Sequence, residues 1–332
     1  MKKTAVAESY IHLAEIEITY KCNLCCEHCY NKYERKKPDM KFDDIIKLIK
    51  EISKETIQKL IITGGEASVH KDFVKLCKYI KKNRKTHFSK VRHFVLQSNG
   101  NCGKFPIDLL KAFDIIHLSY DLKENELRNI DSSVIEQLAQ NLNNEGLYTY
   151  LFCTLHKKNA EQVDEIIKRV NSKKLFIAFN FCISNCTMNP KFILSKAEKA
   201  DLAKKLLKYE TEKLIRPLKH PYMAVFRNKQ TNGYCGNKGG CTAGIASFSV
   251  DTEGNMMPCP FLRVRCGNVF TNTVKNIWFN SPELALMRDR SRFQKCNSCE
   301  YISYCGGCRA VAYNKTNSLT GCDDECFLEF RN

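Results

Sequence analysis

Residues 11–29 read IHLAEIEITYKCNLCCEHC, a strand pattern that runs directly into a cysteine-rich loop. Apolar and polar residues alternate over Ile11–Tyr20, which is typical of a half-buried β-strand. The loop that follows places Cys22, Cys26 and Cys29 in a C-x3-C-x2-C spacing. The sequence therefore predicts a ligand-bearing loop at the end of the first strand.

Three thiolates on one tight loop can hold three irons of a 4Fe–4S cube. Such cubes normally take four thiolates, so the fourth iron would stay open to a substrate or cofactor. The alternative is a zinc site that includes the Cys25–Cys26 pair and His28.

The composition favours metal or redox chemistry in a reducing compartment. The chain has 332 residues and 19 cysteines, but no signal peptide and no apolar stretch that could span a membrane. We therefore expect a cytoplasmic protein whose clustered cysteines bind metal rather than form disulfides.

The net charge of +17 indicates an anionic partner. No basic motif interleaved with aromatic residues is present, so nucleic acid is not the expected partner. Lysine-rich runs are better explained as solvated helix faces.

Strands and helices alternate over the first two thirds of the chain. Six strand patterns and six helix patterns lie between Ile11 and Lys213, the last of them a helix over Ser195–Lys213 with a capping box. This order predicts an α/β fold with a parallel sheet, whose chemistry gathers at the C-terminal strand ends. We expect one domain over residues 1–220 and a second over 221–332.

Polar motifs end three consecutive strands of this predicted sheet. Gly64-Gly65-Glu66 follows the second strand, where glycines let the backbone approach a ligand and a carboxylate can accept from an ammonium group. Gln97-Ser98-Asn99-Gly100 ends the third strand, and Ser119-Tyr120-Asp121 ends the fourth. For Ser119 and Asp121, a helix cap or a turn is an equally good explanation.

More than half of the cysteines lie between Cys235 and Cys326, in a segment with little apolar sequence. A turn signal at residues 251–254 predicts a β-hairpin that ends near Cys259. The cysteines of this segment are sufficient for two complete four-thiolate cubes, but their spacing is also typical of a pair of zinc sites.

These motifs together resemble the radical S-adenosylmethionine (radical SAM) superfamily. The resemblance implies a partial (β/α)6 TIM-type barrel in which Cys22, Cys26 and Cys29 hold the cluster and His28 takes the usual aromatic position. It also implies that the unique iron chelates SAM, which is cleaved to a 5′-deoxyadenosyl radical.

The same resemblance assigns the polar motifs to SAM. Gly64, Gly65 and Glu66 match the GGE motif that grips the methionine amino group, with Ala67 in place of the usual proline. Gln97, Ser119 and Asp121 lie at strand ends where relatives carry similar motifs or contact SAM.

The C-terminal cysteines resemble the SPASM domain, which holds two auxiliary 4Fe–4S clusters. The implied ligands of cluster I are Cys235, Cys241, Cys259 and Cys308. Those of cluster II are Cys296, Cys299, Cys305 and Cys326. Cys322 competes for the last place of cluster II, and Cys266 for a place in cluster I. The chain departs from the family in having two residues, not three, between Cys305 and Cys308.

SPASM enzymes mostly modify peptides or proteins, so the resemblance implies peptide maturation. We expect a thioether or carbon–carbon crosslink in a ribosomally made peptide. The alternatives are a peptide epimerase and a radical SAM enzyme for a small molecule such as a porphyrin side chain. Sulfatase maturation is disfavoured because Pro260, rather than aspartate, follows Cys259.

An epimerase needs a thiol that returns a hydrogen atom, and Cys153, Cys182 and Cys186 lie near strand ends that face the reaction chamber. They are better explained as small buried apolar residues, which free cysteines commonly are. The expected partners are an electron donor such as flavodoxin or ferredoxin and, since no leader-binding domain precedes Cys22, a separate leader-binding protein.

Overall fold

A parallel sheet forms the N-terminal part of the molecule. The computed structural model describes residues 11–122, 130–183, 190–209, 211–216, 220–227 and 240–331. The strands of this sheet, in chain order, are β1 (Leu13–Thr19), β2 (Ile57–Gly64), β3 (Val91–Ser98), β4 (Ile115–Ser119), β5 (Tyr148–Leu155), β6 (Phe176–Phe181) and the short β7 (Ile215–Arg216). Each is parallel to the next, which confirms the predicted α/β class and partial barrel.

Helices alternate with these strands as the hydrophobic periodicity predicts. They are α1 (Phe42–Ile52), α2 (Phe73–Asn83), α3 (Ile107–Leu110), α4 (Ser132–Asn144), α5 (Val163–Ser172) and α6 (Lys196–Leu207), with α7 (Met223–Phe226) after β7. Ile45 and Ile49 of α1 belong to the main core together with Ile16 and Ile18 of β1, and all four have exposures of 0%. This burial of one apolar face against another stabilises the barrel wall.

Helix α6 begins as predicted but ends earlier. The Ser195 hydroxyl accepts from the Glu198 amide at 3.3 Å, and the Glu198 carboxylate accepts from the Ser195 amide at 2.6 Å, which forms the expected capping box. The helix stops at Leu207 rather than Lys213 because polar residues follow and its apolar face does not continue.

The C-terminal part contains the predicted hairpin, β8 (Ser247–Val250) and β9 (Asn255–Met257), followed by β10 (Gly267–Asn268). Asp251 accepts from the amides of Glu253 and Asn255 at 3.0 and 2.8 Å, which fixes the turn. Short helices α8 (Val274–Asn280), α9 (Pro282–Arg288) and α10 (Arg309–Thr316) follow.

The sequence indicated a hairpin apart from the barrel, but the structure joins the two. Strand β8 pairs in parallel with β1, with Leu13 opposite Ser247 and Ile16 opposite Val250. The described strands thus form one sheet in the order β10-β9-β8-β1-β2-β3-β4-β5-β6-β7. Because β9 runs antiparallel to β8, the chain returns toward the N-terminal half of β1 before it reaches Cys259. The domain boundary at residue 220 stays a prediction.

A buried ion pair joins β1 to the segment that follows Cys259. The Glu17 carboxylate is fully buried and accepts from both Nη atoms of Arg263, at 2.7 and 3.1 Å. Arg263 also donates to Asn31, and Asn31 Nδ2 donates to Glu17 at 3.0 Å. The ring of Tyr30 lies 4.7 Å from that of Phe261. The network therefore ties the cluster loop to the hairpin exit.

Glu15 lies two residues before this ion pair on the same strand. Burial, and then the nearby charge of Glu17, raises the pKa of the Glu15 carboxyl from 4.5 to about 8, although Arg263 opposes the shift. The folded protein therefore holds a proton there near neutral pH.

In the part of the chain that the structure describes, no helix is long and apolar enough to cross a membrane.

Replacing Arg263 with methionine should destabilise the fold by about 3 kcal/mol, because it leaves the Glu17 charge buried without its partner. Chemical unfolding of the anaerobically reconstituted protein measures this loss. The control is Arg292→Met, which breaks an exposed pair with Asp289 and should cost less than about 1 kcal/mol. Equal losses in the two variants would contradict the assigned role of the Glu17–Arg263 pair.

Glu15→Gln should stabilise the protein by up to about 3 kcal/mol at pH 7. The unfolded chain releases the Glu15 proton above pH 4.5, whereas the folded protein keeps it until about pH 8. Wild-type stability is therefore lost across this window as the pH rises, so the advantage of the variant should grow from pH 5 to pH 8. The exposed Glu329→Gln change is the control, and an advantage that shrinks with rising pH would refute the burial of Glu15.

Candidate iron–sulfur and SAM site

A cavity of about 380 Å³ lies at the C-terminal ends of the barrel strands. Its floor is formed by polar side chains from successive strands, and cysteines lie on its walls. The strand-end residues on its surface are Thr63, Gly64, Gly65, Gln97, Ser98, Asn99, Ser119, Phe152, Thr154, Asn180 and Phe181. The predicted chemistry therefore has a chamber at the expected end of the sheet.

The three cysteines of the N-terminal loop all line this cavity, and so does His28. Cys25, the remaining thiol of the loop, is exposed and accepts a hydrogen bond from Arg35 Nη1 at 3.2 Å. The Cys22 sulfur accepts from the Leu24 amide at 3.4 Å and from Asn99 Nδ2 at 3.5 Å. The loop thus turns three thiols inward and one outward, as a three-thiolate site requires.

Gly64 and Gly65 pack the end of β2 against the start of the cluster loop. A Cβ atom at Gly64 would lie 2.0 Å from the Thr19 carbonyl oxygen, and one at Gly65 would lie 2.5 Å from the carbonyl oxygens of Tyr20 and Lys21. Only glycine permits this approach, and it leaves both backbones on the cavity surface.

Glu66 is buried and accepts several hydrogen bonds from the protein. Its Oε1 accepts from the Ser68 hydroxyl at 2.6 Å, and its Oε2 accepts from the Asn99 amide at 2.6 Å. The Ser98 hydroxyl donates to both oxygens, at 3.0 and 3.1 Å. Burial raises the pKa of this carboxyl, and these donors oppose the rise. The side chain therefore joins the ends of β2 and β3, and its contact with a SAM amino group stays a prediction.

The other predicted SAM contacts divide into two groups. Gln97, Ser119 and His28 lie on the cavity surface, and the His28 ring packs 5.4 Å from that of His156. Asp121, by contrast, is not among the cavity residues in the described part of the chain. It is buried and accepts from Asn159 Nδ2 at 3.1 Å.

The three candidate catalytic cysteines also differ in position. Cys182 is buried and lies on the cavity surface. Burial raises the pKa of its thiol to about 12, so it stays protonated. The described cavity surface does not include Cys153, whose thiol lies 4.0 Å from Asp121. Cys186 falls outside the described residues.

Three of the proposed cluster I cysteines lie on the same cavity as the N-terminal loop. They are Cys241, Cys259 and Cys308, while Cys235 falls outside the described residues. Burial raises the pKa of all three thiols, and backbone amides that hydrogen-bond to the sulfurs oppose the rise. Cys266 is not on this surface within the described ranges, and its thiol contacts the Val264 carbonyl at 3.6 Å.

A second, smaller cavity brings together the proposed cluster II cysteines, Cys296, Cys299, Cys305 and Cys326. Amides of Tyr301, Gly307 and Leu328 donate to the sulfurs of Cys299, Cys305 and Cys326 at 3.4, 3.3 and 3.4 Å. Among the residues that the structure describes, Cys322 does not line this cavity. The arrangement supports Cys326 as the fourth ligand.

The thiols at both cavities fit iron–sulfur clusters. A cube is held by several thiolates, and hydrogen bonds to the sulfurs tune its potential. Each cavity brings several cysteines together, and backbone amides donate to sulfurs at both.

Basic residues at the cavity were not predicted as functional. Arg35 and Arg309 both lie on its surface, and Arg309 is 2% exposed. Arg309 follows Cys308 in a Gly-Gly-Cys-Arg-Ala run, but only the fold shows that its charge is buried between two cysteine sets. The sequence therefore shows that Arg309 follows a cysteine, but it does not show that the side chain is buried.

Two family models match the chain in the regions that these sites occupy. The radical SAM superfamily model matches residues 16–170, and the SPASM model, an iron–sulfur cluster-binding domain, matches residues 241–300. The chain belongs to the radical SAM superfamily and carries a C-terminal SPASM domain. It is therefore a radical SAM enzyme, with iron–sulfur clusters and SAM as its cofactors.

Named relatives cover most of the chain at low identity. The AdoMet-dependent heme synthase of Methanosarcina barkeri is 24% identical, over 90% of this chain and 91% of that protein. The subtilosin biosynthesis protein AlbA of Bacillus subtilis is 25% identical, over 91% and 68%. The PqqA peptide cyclase of Bradyrhizobium diazoefficiens is 23% identical, over 98% and 89%.

The fold is also found among solved structures. SuiB of Streptococcus suis bound to S-adenosylmethionine superposes with a TM-score of 0.76 at 17% identity. The match covers 96% of this chain and 77% of SuiB. This similarity shows that the two chains share a fold.

The assignment of Cys326 can be tested by iron and sulfide analysis of anaerobically reconstituted protein. Cys326→Ala should hold about four irons fewer than wild type, because it removes a ligand of one cube. Cys322→Ala is the matched control and should keep the full complement. A loss of iron in Cys322→Ala alone would reverse the assignment.

Proposed function

We propose that this enzyme is a peptide maturase that abstracts hydrogen from a peptide or protein substrate. The product is a thioether or carbon–carbon crosslink in a ribosomally made peptide. The observation that carries the proposal is the single cavity, which has Cys22, Cys26 and Cys29 on one wall and Cys241, Cys259 and Cys308 on another. We infer three 4Fe–4S clusters, one at each cysteine set.

When bound, the first cluster and SAM supply a hydrogen-abstracting 5′-deoxyadenosyl radical. The chain's own residues bind and enclose the reactants. Gly64 and Gly65 leave backbone groups open to the cofactor, and the side chains of Gln97 and Asn180 offer hydrogen bonds to orient it or the substrate. Apolar groups, including Phe152, cover part of the wall and exclude water.

Crosslinking is favoured over other outcomes by the second wall of the cavity. A crosslink removes two hydrogens from the substrate, so the reaction needs an electron acceptor close to the substrate carbon. The wall that carries Cys241, Cys259 and Cys308 is where this chain would hold one. In the described residues, the cavity surface carries no carboxylate that could serve as a base, which again disfavours sulfatase-type maturation.

The relatives support a peptide substrate. They include a peptide cyclase for PqqA and a protein of subtilosin biosynthesis. The mycofactocin maturase MftC of Mycolicibacterium smegmatis is also 21% identical, over 93% of this chain. SuiB bound to its precursor peptide SuiA shares the fold with a TM-score of 0.77. A flavodoxin or ferredoxin and a separate leader-binding protein complete the proposed set of partners.

A small-molecule substrate is the second candidate. The heme synthase relative covers nearly the whole chain, and a cavity of about 380 Å³ is within the usual range for small ligands. An epimerase is the third candidate, because the protonated Cys182 thiol on the cavity surface can return a hydrogen atom to a substrate carbon.

Co-expression with a short peptide encoded beside its gene tests the proposal. Crosslinking should lower the peptide mass by two hydrogens, and replacing Cys22, Cys26 and Cys29 by alanine should abolish both this loss and 5′-deoxyadenosine release. Mass spectrometry of the peptide and analysis of released nucleoside provide the measurements. An unchanged peptide mass, together with SAM cleavage that depends on a porphyrin, would contradict the proposal in favour of a small-molecule substrate.

Deuterated solvent separates crosslinking from epimerisation. An epimerase should add one deuterium to the peptide, and Cys182→Ala should abolish this, whereas Cys153→Ala should not. The crosslinking proposal predicts the loss of two hydrogens in wild type and both variants, with no deuterium fixed on carbon. One incorporated deuterium that depends on Cys182 would overturn it.

A further inference from the structure

Arg309 is the first residue of α10 and lies in the interior with its charge only partly satisfied. Its side chain is 2% exposed, and Nη1 donates to the Gly321 carbonyl at 2.8 Å. The guanidinium also lies 4.3 Å from the centre of the Phe293 ring. Among the residues that the structure describes, Nε and Nη2 are buried without a hydrogen-bond partner.

The nearest buried carboxylate, Asp323, is engaged elsewhere. A Cβ atom on Gly307 would lie 2.7 Å from Arg309 Nη2 and 2.8 Å from Asp323 Oδ2, so the two charges flank one glycine. Asp323 Oδ2 nevertheless accepts from the Tyr222 hydroxyl at 2.5 Å and from the Cys308 amide at 2.6 Å. Arg309 and Asp323 are thus close neighbours that form no ion pair in the described structure.

A buried guanidinium without an anion is costly, by several kcal/mol. The position of Arg309 indicates which charges offset this cost. Arg309 lies on the main cavity with Cys241 and Cys308, whereas Asp323 lies on the second cavity with Cys296 and Cys305. A 4Fe–4S cube with four thiolates is an anion, so both proposed cluster sites offer Arg309 negative charge.

Both residues lie between the two cysteine sets. Asp323 accepts from the amide of Cys308, which belongs to the first set, and lines the second cavity. Arg309 directly follows Cys308, and its guanidinium lies beside Gly307, whose amide donates to the Cys305 sulfur of the second set at 3.3 Å. Each charge therefore has both cysteine sets as neighbours.

We propose that Arg309 and Asp323 are a pair of opposed charges between the two auxiliary clusters that sets their reduction potentials. Arg309 favours the more negative, reduced state of each cluster, and Asp323 disfavours it. Neither side chain is proposed to touch the substrate, because each acts through the clusters. The inference rests on the two auxiliary clusters of the proposed function.

The test uses a full-length background in which Cys22, Cys26 and Cys29 are alanine, so that only the auxiliary clusters remain. Redox titration followed by electron paramagnetic resonance gives their midpoint potentials. Arg309→Met should make reduction about tenfold less favourable, which is about 59 mV for one electron. Arg309→Lys keeps the charge and should stay close to the background value.

Asp323→Asn provides the reciprocal test. Its amide oxygen can still accept from the Tyr222 hydroxyl and the Cys308 amide, so the change removes mainly charge. We expect its potentials to move in the direction opposite to those of Arg309→Met. The exposed Arg292→Met variant is the control and should leave both potentials unchanged.

Iron analysis of each variant makes every outcome decisive. Unchanged potentials at full iron content, or equal shifts in Arg309→Lys and Arg309→Met, would overturn the inference. Equal iron loss in Arg309→Lys and Arg309→Met would also overturn the inference, because altered packing would then explain the effect. Iron loss in Arg309→Met alone would support charge compensation. A background protein without about eight irons would refute the auxiliary clusters themselves, which distinguishes failure of the proposed function from failure of this inference.

Discussion

The parallel pairing of β8 with β1 is the contact on which the arrangement of the site depends. It places the hairpin that ends at Cys259 beside the strand that leads into Cys22. Strand β9 runs antiparallel to β8 and therefore to β1, so the chain reaches Cys259 and Cys22 in opposite directions, and both cysteines line one cavity. Without this pairing, the barrel and the SPASM domain would each hold cysteines but share no chamber.

The Glu17–Arg263 ion pair reinforces that geometry from inside the barrel. A buried ion pair seldom adds net stability, because desolvation offsets the attraction, but it fixes the relative position of the groups that it joins. Here it joins β1, the end of the cluster loop through Asn31, and the segment after Cys259. The distance between the two walls of the cavity is thus set by directional bonds as well as by packing.

Local features of the fold were predictable from sequence, whereas contacts between distant segments were not. The apolar residues of helix α1 repeat at helical spacing, and the Ser195 capping box follows from its residue types. The pairing of β8 with β1 could not be predicted, since a short apolar strand carries no information about its neighbour. Arg263 and Arg309 were missed for a related reason: their roles depend on burial beside groups far away in the sequence.

The resemblance to the SPASM domain assigned the C-terminal thiols to two sets, and the described cysteines of each set line one cavity. Their role as cluster ligands stays a prediction. We propose that two cluster sites face one chamber, and a crystal structure of the anaerobically reconstituted enzyme with SAM can show whether they do. We expect a four-iron cube on Cys22, Cys26 and Cys29 and another on Cys241, Cys259 and Cys308, both bordering the cavity that holds SAM. Zinc at either site, or clusters on separate surfaces, would contradict it.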